Sequence, residues 1–506
     1  MTRKTKGQRS SGGIRATFRR PVPLALALAV LGALALIVVV LSNRSHGGST
    51  EPASEPASEQ GSDEALAGEF AEESEQARGR EEALDQARRQ GTLGLIEPLA
   101  VDAAPGWRGE RVWRPNTDDW EPAVAGHPGS SRVYMLTTRY GGKPACQSCP
   151  DPAIRLRASR DGGVHWGRDR YLCRCRGSEN QYDPQIEMAA DGSLYAAWLD
   201  GFTPGVSFAR SDDRGRSWTK PVHVDKRLAW SDKPIVAVSD DGKDVYIAFN
   251  GPSLGDAHVA VSHDRGAHFG QPVPVERNRR YHFAGGGVVA PDGTVAFGQT
   301  SYNQASSGKV RVLATTSIDA GHSWRNVEVD RMGKQPNCVS RGCPDVFYGP
   351  QAAMAGDSDG KLLIVYNGAS RRNGPQRIYV RHSRDAGLSW SGRTRISPKH
   401  ANAAFPAAIG GQAGDFRVWY MDDRKGSDNR WNVWFRRSTD GGRQWSGSLR
   451  ISDASRGTTY IRPHGFLEPY GDYGELAIIE DGDTFAAWGE GVSYNGPGGT
   501  WYNRTR

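Results

Sequence analysis

The sequence is poor in cysteine and has no concentrated block of basic residues. Six cysteines among 506 residues are too few for a scaffold held together mainly by disulfides. The net charge of +7 comes largely from the first twenty residues, and the other Lys and Arg residues are scattered singly. Nucleic-acid binding normally uses a clustered basic surface, so we expect no nucleic acid as a partner. The sequence also lacks the P-loop, GxGxxG, HExxH and CxxCH motifs of nucleotide, zinc-protease and haem sites.

Glycine and tryptophan, in contrast, are abundant, with 63 Gly and 15 Trp residues. Glycine supplies the backbone conformations that tight turns need, and tryptophan is favoured in strands. This combination predicts an all-β fold with many turns.

One long apolar segment lies near the N-terminus. Val22 to Leu41 contains no charged residue, and about 20 apolar residues span a bilayer as a helix. Seven basic residues precede the segment and only Arg44 follows it closely. The positive-inside rule therefore predicts a single-pass protein of the cell membrane, with a cytoplasmic N-terminus and the rest of the chain outside the cell. A cleaved signal peptide is the alternative, although its apolar core is normally shorter, about 7–15 residues.

These features divide the chain into four parts. Residues 1–21 form a basic cytoplasmic tail, and residues 22–42 form an uncleaved transmembrane signal-anchor. Residues 43–100 form an acidic spacer, which opens with the repeat EPASEPASE and is expected to be flexible or partly helical. Residues 101–506 form the folded domain.

A Ser-x-Asp-x-Gly-x-x-Trp pattern recurs six times in this domain, at steps of 51 to 66 residues. The Ser and Asp side chains can accept hydrogen bonds inside a turn, and the Gly supplies a positive φ angle. We therefore interpret each copy as a structural fastener between two strands and assign it no catalysis. The copies are Ser159, Asp161, Gly163, Trp166; Ser211, Asp213, Gly215, Trp218; Ser262, Asp264, Gly266, Phe269; Ser317, Asp319, Gly321, Trp324; Ser383, Asp385, Gly387, Trp390; and Ser438, Asp440, Gly442, Trp445.

Each unit between two fasteners has turn signals that separate four short strands, which is typical of one blade of a β-propeller. Six units carry the pattern, and a seventh begins at Gly471 with three strands only. The segment Gly106 to Trp113 resembles the missing outer strand. We therefore predict a seven-bladed propeller of four-stranded antiparallel blades, closed by pairing of the Trp107 strand with the Trp501 strand. Six blades are the alternative if these two segments do not pair.

The six copies resemble the Asp-box, or BNR, repeats of the sialidase-like superfamily. A resemblance to sialidases implies a retaining glycosidase with a Tyr nucleophile, a Glu partner, an Asp acid/base and three Arg residues that hold a carboxylate. The chain departs from that family because it lacks the early Arg-Ile-Pro tripeptide and has seven blades where sialidases have six. Tyr460-Ile461-Arg462-Pro463 is a permuted near-match.

The candidate site lies on the face opposite the fasteners, where loops meet at the central funnel. The residues expected there are Asp119, Arg139, Asp183, Asp200, Asp232, Arg280, Arg341, Tyr348, Arg424, Arg462, Glu468, Asp472, Tyr473 and Glu490. The predicted catalytic set is Tyr473, Glu468, Asp183, Arg280, Arg341 and Arg462, with Glu475 as an alternative partner of Tyr473.

Two functions are open at this point. The first is a surface module that binds or assembles with a glycan or a protein on the funnel face. The second is a sialidase-type exo-glycosidase that acts on acidic sugars. Neither requires a cofactor, although several Asp residues around one axis could hold a calcium ion.

The cysteines lie in three close pairs, Cys146/Cys149, Cys173/Cys175 and Cys338/Cys343. Outside the cell disulfides are expected, and two bridges joining the first pair to the second, with Cys338 bonded to Cys343, fit the spacing. A zinc site from the first four cysteines is the alternative.

Overall fold

A computed structural model describes residues 103–505, together with Gln86 and Arg89. The gaps in this range are 115–116, 142–148, 175–179, 202–204, 225–227, 229–230, 252–255, 277–279, 304–306, 334–350, 372–373, 428–429, 454–457, 460–472 and 492–497. The predicted cytoplasmic tail and signal-anchor lie outside the described residues. Within these described ranges, no helix has the length and apolarity that a membrane crossing requires.

The described chain is almost entirely β-structure. The first strands are β1 (Arg111–Val112), β2 (Asp118–Gly126), β3 (Val133–Tyr140), β4 (Ala153–Ser159), β5 (Arg170–Tyr171), β6 (Tyr182–Met188), β7 (Leu194–Leu199), β8 (Val206–Ser211), β9 (Val222–His223) and β10 (Asp232–Val238). They are followed by β11 (Val245–Gly251), β12 (Asp256–Ser262), β13 (Val273–Glu276), β14 (Arg280–Val289), β15 (Val295–Asn303), β16 (Ser307–Ser317), β17 (Arg325–Met332), β18 (Ala352–Gly356), β19 (Leu362–Gly368) and β20 (Arg377–Ser383). The last are β21 (Thr394–Arg395), β22 (Ala403–Gly410), β23 (Phe416–Ser427), β24 (Arg430–Ser438), β25 (Leu449–Arg450), β26 (Thr458–Thr459), β27 (Glu475–Ile478), β28 (Thr484–Gly491) and β29 (Gly498–Arg504), with one 3-10 turn at Glu480–Gly482.

The described strands form seven antiparallel sheets, each of them one blade, and in the first six blades the main strands follow chain order from the inside outward. Blades 1 to 6 are β2–β5, β6–β9, β10–β13, β14–β17, β18–β21 and β22–β25, and β26 pairs additionally with β24. The first strand of every blade contacts the first strand of the next one, and β27 returns to β2. The seven first strands therefore form a closed ring around a central channel, which confirms the predicted seven-bladed propeller.

Blade 7 is built from both ends of the domain. Its order is β27, β28, β29 and β1, with Val112 opposite Trp501 and Arg111 opposite Tyr502. A further bridge joins Trp107 to Thr505. The predicted closure of the ring is confirmed, and it leaves β29 with a partner on each side instead of an open edge.

The hydrophobic core is divided among the interfaces between blades. Seven clusters of buried side chains are found, and each joins two neighbouring blades. In the cluster between blades 6 and 7, for example, Trp107 packs edge-to-face against Phe435 with ring centroids 5.0 Å apart. The large aromatic residues thus fill the wedges that seven radiating sheets leave between them.

The six fasteners have the geometry that the residue types predict. The Ser of every copy is the last residue of the third strand of its blade. In the second copy Ser211 Oγ donates to Asp213 Oδ1 at 2.8 Å and accepts from the Gly215 amide at 2.8 Å. The same Asp213 oxygen accepts from the Ser217 amide at 2.8 Å, which closes the turn.

The fastener glycines also pack against the preceding blade, a role that the sequence did not predict. A Cβ atom on Gly266 would lie 2.2 Å from the Phe208 ring, and one on Gly163 would lie 2.5 Å from the Phe485 ring. The glycine is therefore required twice, for its positive φ and for this close approach between blades.

Candidate binding site in the central channel

Among the described residues, a bulge interrupts the first strand of five blades, at the end of the channel that lies opposite the fasteners. In four of these blades a residue other than glycine adopts a left-handed conformation at the bulge, with φ between 48° and 54°: Glu121, Asp183, Lys233 and Phe405. Such angles are uncommon and cost energy, and clusters of them often mark functional sites. Bulges also turn side chains away from the regular alternation of a strand.

A signal for these bulges is present in the sequence, beyond the features described above. Each of the four left-handed residues directly precedes a proline, at Pro122, Pro184, Pro234 and Pro406. Proline disfavours a right-handed helical conformation at the residue before it and has no amide to donate to the sheet. Aligned X-Pro pairs at the start of these four blades therefore predict irregular inner strands.

Three polar side chains from three blades, two of them at bulges, lie at the wall of a central cavity of about 270 Å³. Asp183 comes from blade 2, Lys233 from blade 3, and Tyr473 precedes the first strand of blade 7. Lys233 Nζ lies 3.5 Å from Asp183 Oδ1 and 5.8 Å from the centre of the Tyr473 ring. The Tyr473 hydroxyl donates to the Pro184 carbonyl at 3.1 Å. Two of the predicted site residues, Asp183 and Tyr473, are thus brought together.

A second carboxyl group lies behind this wall. Asp232 is buried and accepts a hydrogen bond from the Tyr281 hydroxyl at 3.2 Å. Burial, and then the nearby Asp183 carboxylate, raise the pKa of Asp232 to about 7, while Lys233 opposes this shift. The two carboxyl groups are therefore suited to share one proton near neutral pH.

Two more carboxyl groups face the cavity toward the fastener side. Glu475 Oε2 accepts from the Val124 amide at 2.6 Å. The Glu187 side chain is exposed to the solvent inside the channel. Because the channel wall surrounds it, desolvation still raises the pKa of Glu187 to about 8. Burial, and then repulsion by Glu187, also raises the pKa of Glu475 well above its usual value.

The opposite half of the cavity is apolar. Its wall is formed by the first strands of blades 4, 5 and 6, over residues 283–289, 352–356 and 406–410. The backbones approach closely here, since a Cβ on Gly285 would lie 1.9 Å from the Ala352 carbonyl oxygen. The channel therefore has one polar side and one side of small apolar residues.

Other residues that the sequence places at the funnel form ion pairs within their own blades. Arg139 donates to both carboxylate oxygens of Asp119, at 2.8 and 3.0 Å, and both residues are buried. Arg424 pairs with Asp422 at 2.6 Å and stacks on Trp434, with 3.6 Å from the guanidinium carbon to the ring centre.

Arg280 and Glu490 also have partners within their blades. Arg280 donates to the Ser301 hydroxyl at 2.7 Å, and its pKa is lowered by burial and then by Arg311. Glu490 accepts from the Trp488 indole at 2.8 Å. These contacts hold both side chains within blades 4 and 7. Asp200 lies just after β7, and Glu468, Arg341, Arg462, Tyr348 and Asp472 lie outside the described residues.

The cysteine and metal predictions are tested only in part. Cys149 and Cys173 are disulfide-bonded. The predicted pairing stays a prediction, because Cys146, Cys175, Cys338 and Cys343 lie outside the described residues. Among the residues that the structure describes, no group of three or more His, Cys, Asp or Glu side chains is arranged to hold a metal ion, calcium included.

Comparisons with known proteins return matches among solved structures only. No protein-family model and no curated protein matches the chain. An ulvan lyase, a polysaccharide lyase, is similar with 14% identity and a TM-score of 0.46, over 78% of this chain and 95% of that one. The leech intramolecular trans-sialidase has 13% identity and a TM-score of 0.39, over 75% and 66% of the two chains. The NanB sialidase of Streptococcus pneumoniae has 13% identity and a TM-score of 0.40, over 83% and 72%. Likenesses this distant carry no information on activity.

Proposed function

We propose that the protein is a membrane-anchored, extracellular propeller that binds a glycan in its central channel. The observation that carries the proposal is the meeting of Asp183, Lys233 and Tyr473, from three different blades, at the wall of one cavity. Carboxylate, ammonium and phenol groups offer both donors and acceptors to sugar hydroxyls. A largely preformed cavity with a few convergent polar groups is the usual form of a small-ligand site.

The strain around these residues supports the same proposal. Asp183 and Lys233 have left-handed φ angles of 48° and 50°. A stable sheet does not need such angles, and they cost of order 1–3 kcal/mol each. A ligand site at the bulges would explain why the protein keeps these strained backbone angles.

The evidence for the proposed membrane anchor comes from the sequence alone. The uncharged segment from Val22 to Leu41 and the basic residues before it favour a single crossing with the propeller outside the cell. Protease added to intact cells should release or degrade the propeller and spare the N-terminal tail. A propeller protected until the cells are lysed would contradict this orientation.

A second candidate function, cleavage of a glycosidic bond, is favoured by Asp232. Its pKa of about 7 allows this carboxyl group to keep a proton at neutral pH. Glycosidases use a protonated carboxylic acid to assist the departing sugar oxygen. In this chain Asp232 would supply the proton through Asp183, which lines the cavity.

The experiment that separates the two functions uses residues 101–506, which contain the complete closed ring. The fragment is assayed for binding on a glycan array and for turnover of fluorogenic sialosides and uronides. Saturable binding that Asp183→Asn weakens, without turnover, supports the binding module. Turnover that is lost on Asp232→Asn or Tyr473→Phe supports the enzyme. Absence of both binding and turnover would overturn the proposal.

A further inference from the structure

The ionisable residues of the channel wall indicate which class of sugar the channel would bind. Among the described residues that line the cavity, the ionisable acids and bases are Asp183, Glu187 and Glu475 on one side and Lys233 as the single cation. Lys233 is already paired with Asp183 at 3.5 Å. Glu187 and Glu475 therefore face the cavity with no lysine or arginine among its described lining residues to balance them.

An independent observation marks the same cavity as built for a polar ligand. Thr300 lines the cavity and is fully buried, and its hydroxyl oxygen has no hydrogen-bond partner among the described residues. A buried hydroxyl without a partner is unfavourable. A ligand with a hydroxyl or ammonium group would satisfy it.

The apolar half of the wall restricts the ligand further. Small residues of blades 4 to 6, such as Ala353, Ala407 and Gly286, offer a smooth surface with no charge. A sugar ring has a C–H face that suits such a surface, while its substituents reach the polar side. The cavity of about 270 Å³ lies close to the lower end of the volumes of small-ligand pockets, about 300–1,000 Å³.

We propose that the channel selects sugars that carry a free amino group, with the ammonium placed between Glu187 and Glu475. This inference rests on the proposed binding of a glycan, and it replaces the acidic sugar expected from the resemblance to sialidases by a cationic one. Because burial raises their pKa values, Glu187 and Glu475 keep their protons up to a higher pH than usual. An ammonium group between them would stabilise their ionised forms and be paired, whereas a carboxylate ligand would oppose their ionisation.

The test compares two ligands that differ only at nitrogen and a third that carries carboxylates. The full chain in mild detergent is titrated calorimetrically with a trimer of glucosamine, the same trimer fully N-acetylated, and a uronic-acid trimer. We expect the glucosamine trimer to bind about tenfold more tightly than the acetylated one, and the uronic-acid trimer to bind more weakly still.

Two variants assign this preference to the channel. Glu187→Gln and Glu475→Gln keep the shape of the side chains and remove their charge. Each should reduce the preference for the free amine to about twofold or less, whereas Glu480→Gln, at an exposed position, should leave it unchanged. Thermal unfolding of each variant establishes that it is folded.

The outcomes separate this inference from the proposed function. If the acetylated or uronic-acid trimer binds as tightly as the glucosamine trimer, the inference is wrong and the glycan site stands. A preference that survives both channel variants also overturns the inference. If no trimer binds, and the glycan array is negative as well, the proposed function fails and the inference fails with it.

Discussion

Lys233 Nζ lies 3.5 Å from the Asp183 carboxylate, so an ion pair joins the inner-strand bulges of blades 2 and 3. Both side chains are largely shielded from solvent, with 14% and 8% of their surfaces exposed. The lysine also offsets the repulsion between Asp183 and the buried Asp232. The ion pair therefore affects both the stability of the ring and the charge of the channel wall.

Removal of the lysine charge should destabilise the protein. Lys233→Met leaves two neighbouring carboxyl groups without their cation, and we expect the free energy of unfolding to fall by about 1–3 kcal/mol in urea titrations. Lys220→Met, at an exposed position, is the matched control and should change it by less than about 0.5 kcal/mol. Equal effects of the two substitutions would show that the ion pair contributes nothing.

The packing role of the fastener glycine can be separated from its backbone role. Gly266 and Gly293 have similar φ angles of 77° and 85°, but only Gly266 has a neighbouring ring in the space of a Cβ atom. Gly293→Ala should cost about 1–2 kcal/mol for the left-handed backbone alone. Gly266→Ala should cost about 1–3 kcal/mol more because Phe208 must move. Urea titration of both variants measures the difference, and equal costs would contradict the close approach between blades.

Closure of the ring can be tested by deletion of its outermost strand. A chain that begins at residue 118 lacks β1 and exposes the edge of β29, whereas one that begins at residue 101 keeps it. We expect the shorter chain to unfold at a lower temperature and to self-associate through the open edge. Calorimetry and light scattering of the two chains make the comparison. Identical behaviour would mean that β1 does not close the propeller.

The fastener aspartates predict a loss of stability in acid. Hydrogen bonds hold the pKa values of Asp161, Asp213, Asp264 and Asp319 at about 2 in the folded protein, against 3.8 for the free residue. Because the folded values are lowered, this stabilisation is complete above about pH 4 and is lost as the pH falls toward 2. The melting temperature should drop steeply across that window. A variant with Asn in place of these four residues should show a shallower drop, and a drop as steep as in the natural chain would contradict the assignment.

The fold could be predicted from the sequence because each blade carries its own local signal. The Ser-x-Asp-x-Gly-x-x-Trp turns specify where the third strand ends, as at Ser211 and Ser438, and tertiary packing only reinforces that choice. The closure by Trp107 and Trp501 was recognisable because the last unit lacks one strand.

The site could be predicted only in part, because it depends on contacts across the ring. Asp183 and Tyr473 were expected at the channel. No local sequence feature showed that Arg139 forms an ion pair with Asp119, or Arg424 with Asp422, instead of facing a ligand. Lys233, Glu187 and Glu475 reach the cavity because the inner strands of different blades converge there. The sequence predicted Glu475 as an alternative partner of Tyr473, and the Lys233-Pro234 pair marks the bulge at Lys233, whereas no local signal pointed to Glu187.

Calorimetry can show whether the ligand binds in the central channel, when a glycan selected on the array is titrated into the 101–506 fragment and two variants. Asp183→Asn alters the channel wall, and Asp359→Asn alters an exposed loop on the fastener face. We predict that Asp183→Asn weakens binding about tenfold or more, since hydrogen bonds to a charged group are worth about 1.5–3 kcal/mol. Asp359→Asn should leave binding unchanged. Binding that survives Asp183→Asn and is lost in Asp359→Asn would place the ligand on the other face and contradict a site in the central channel.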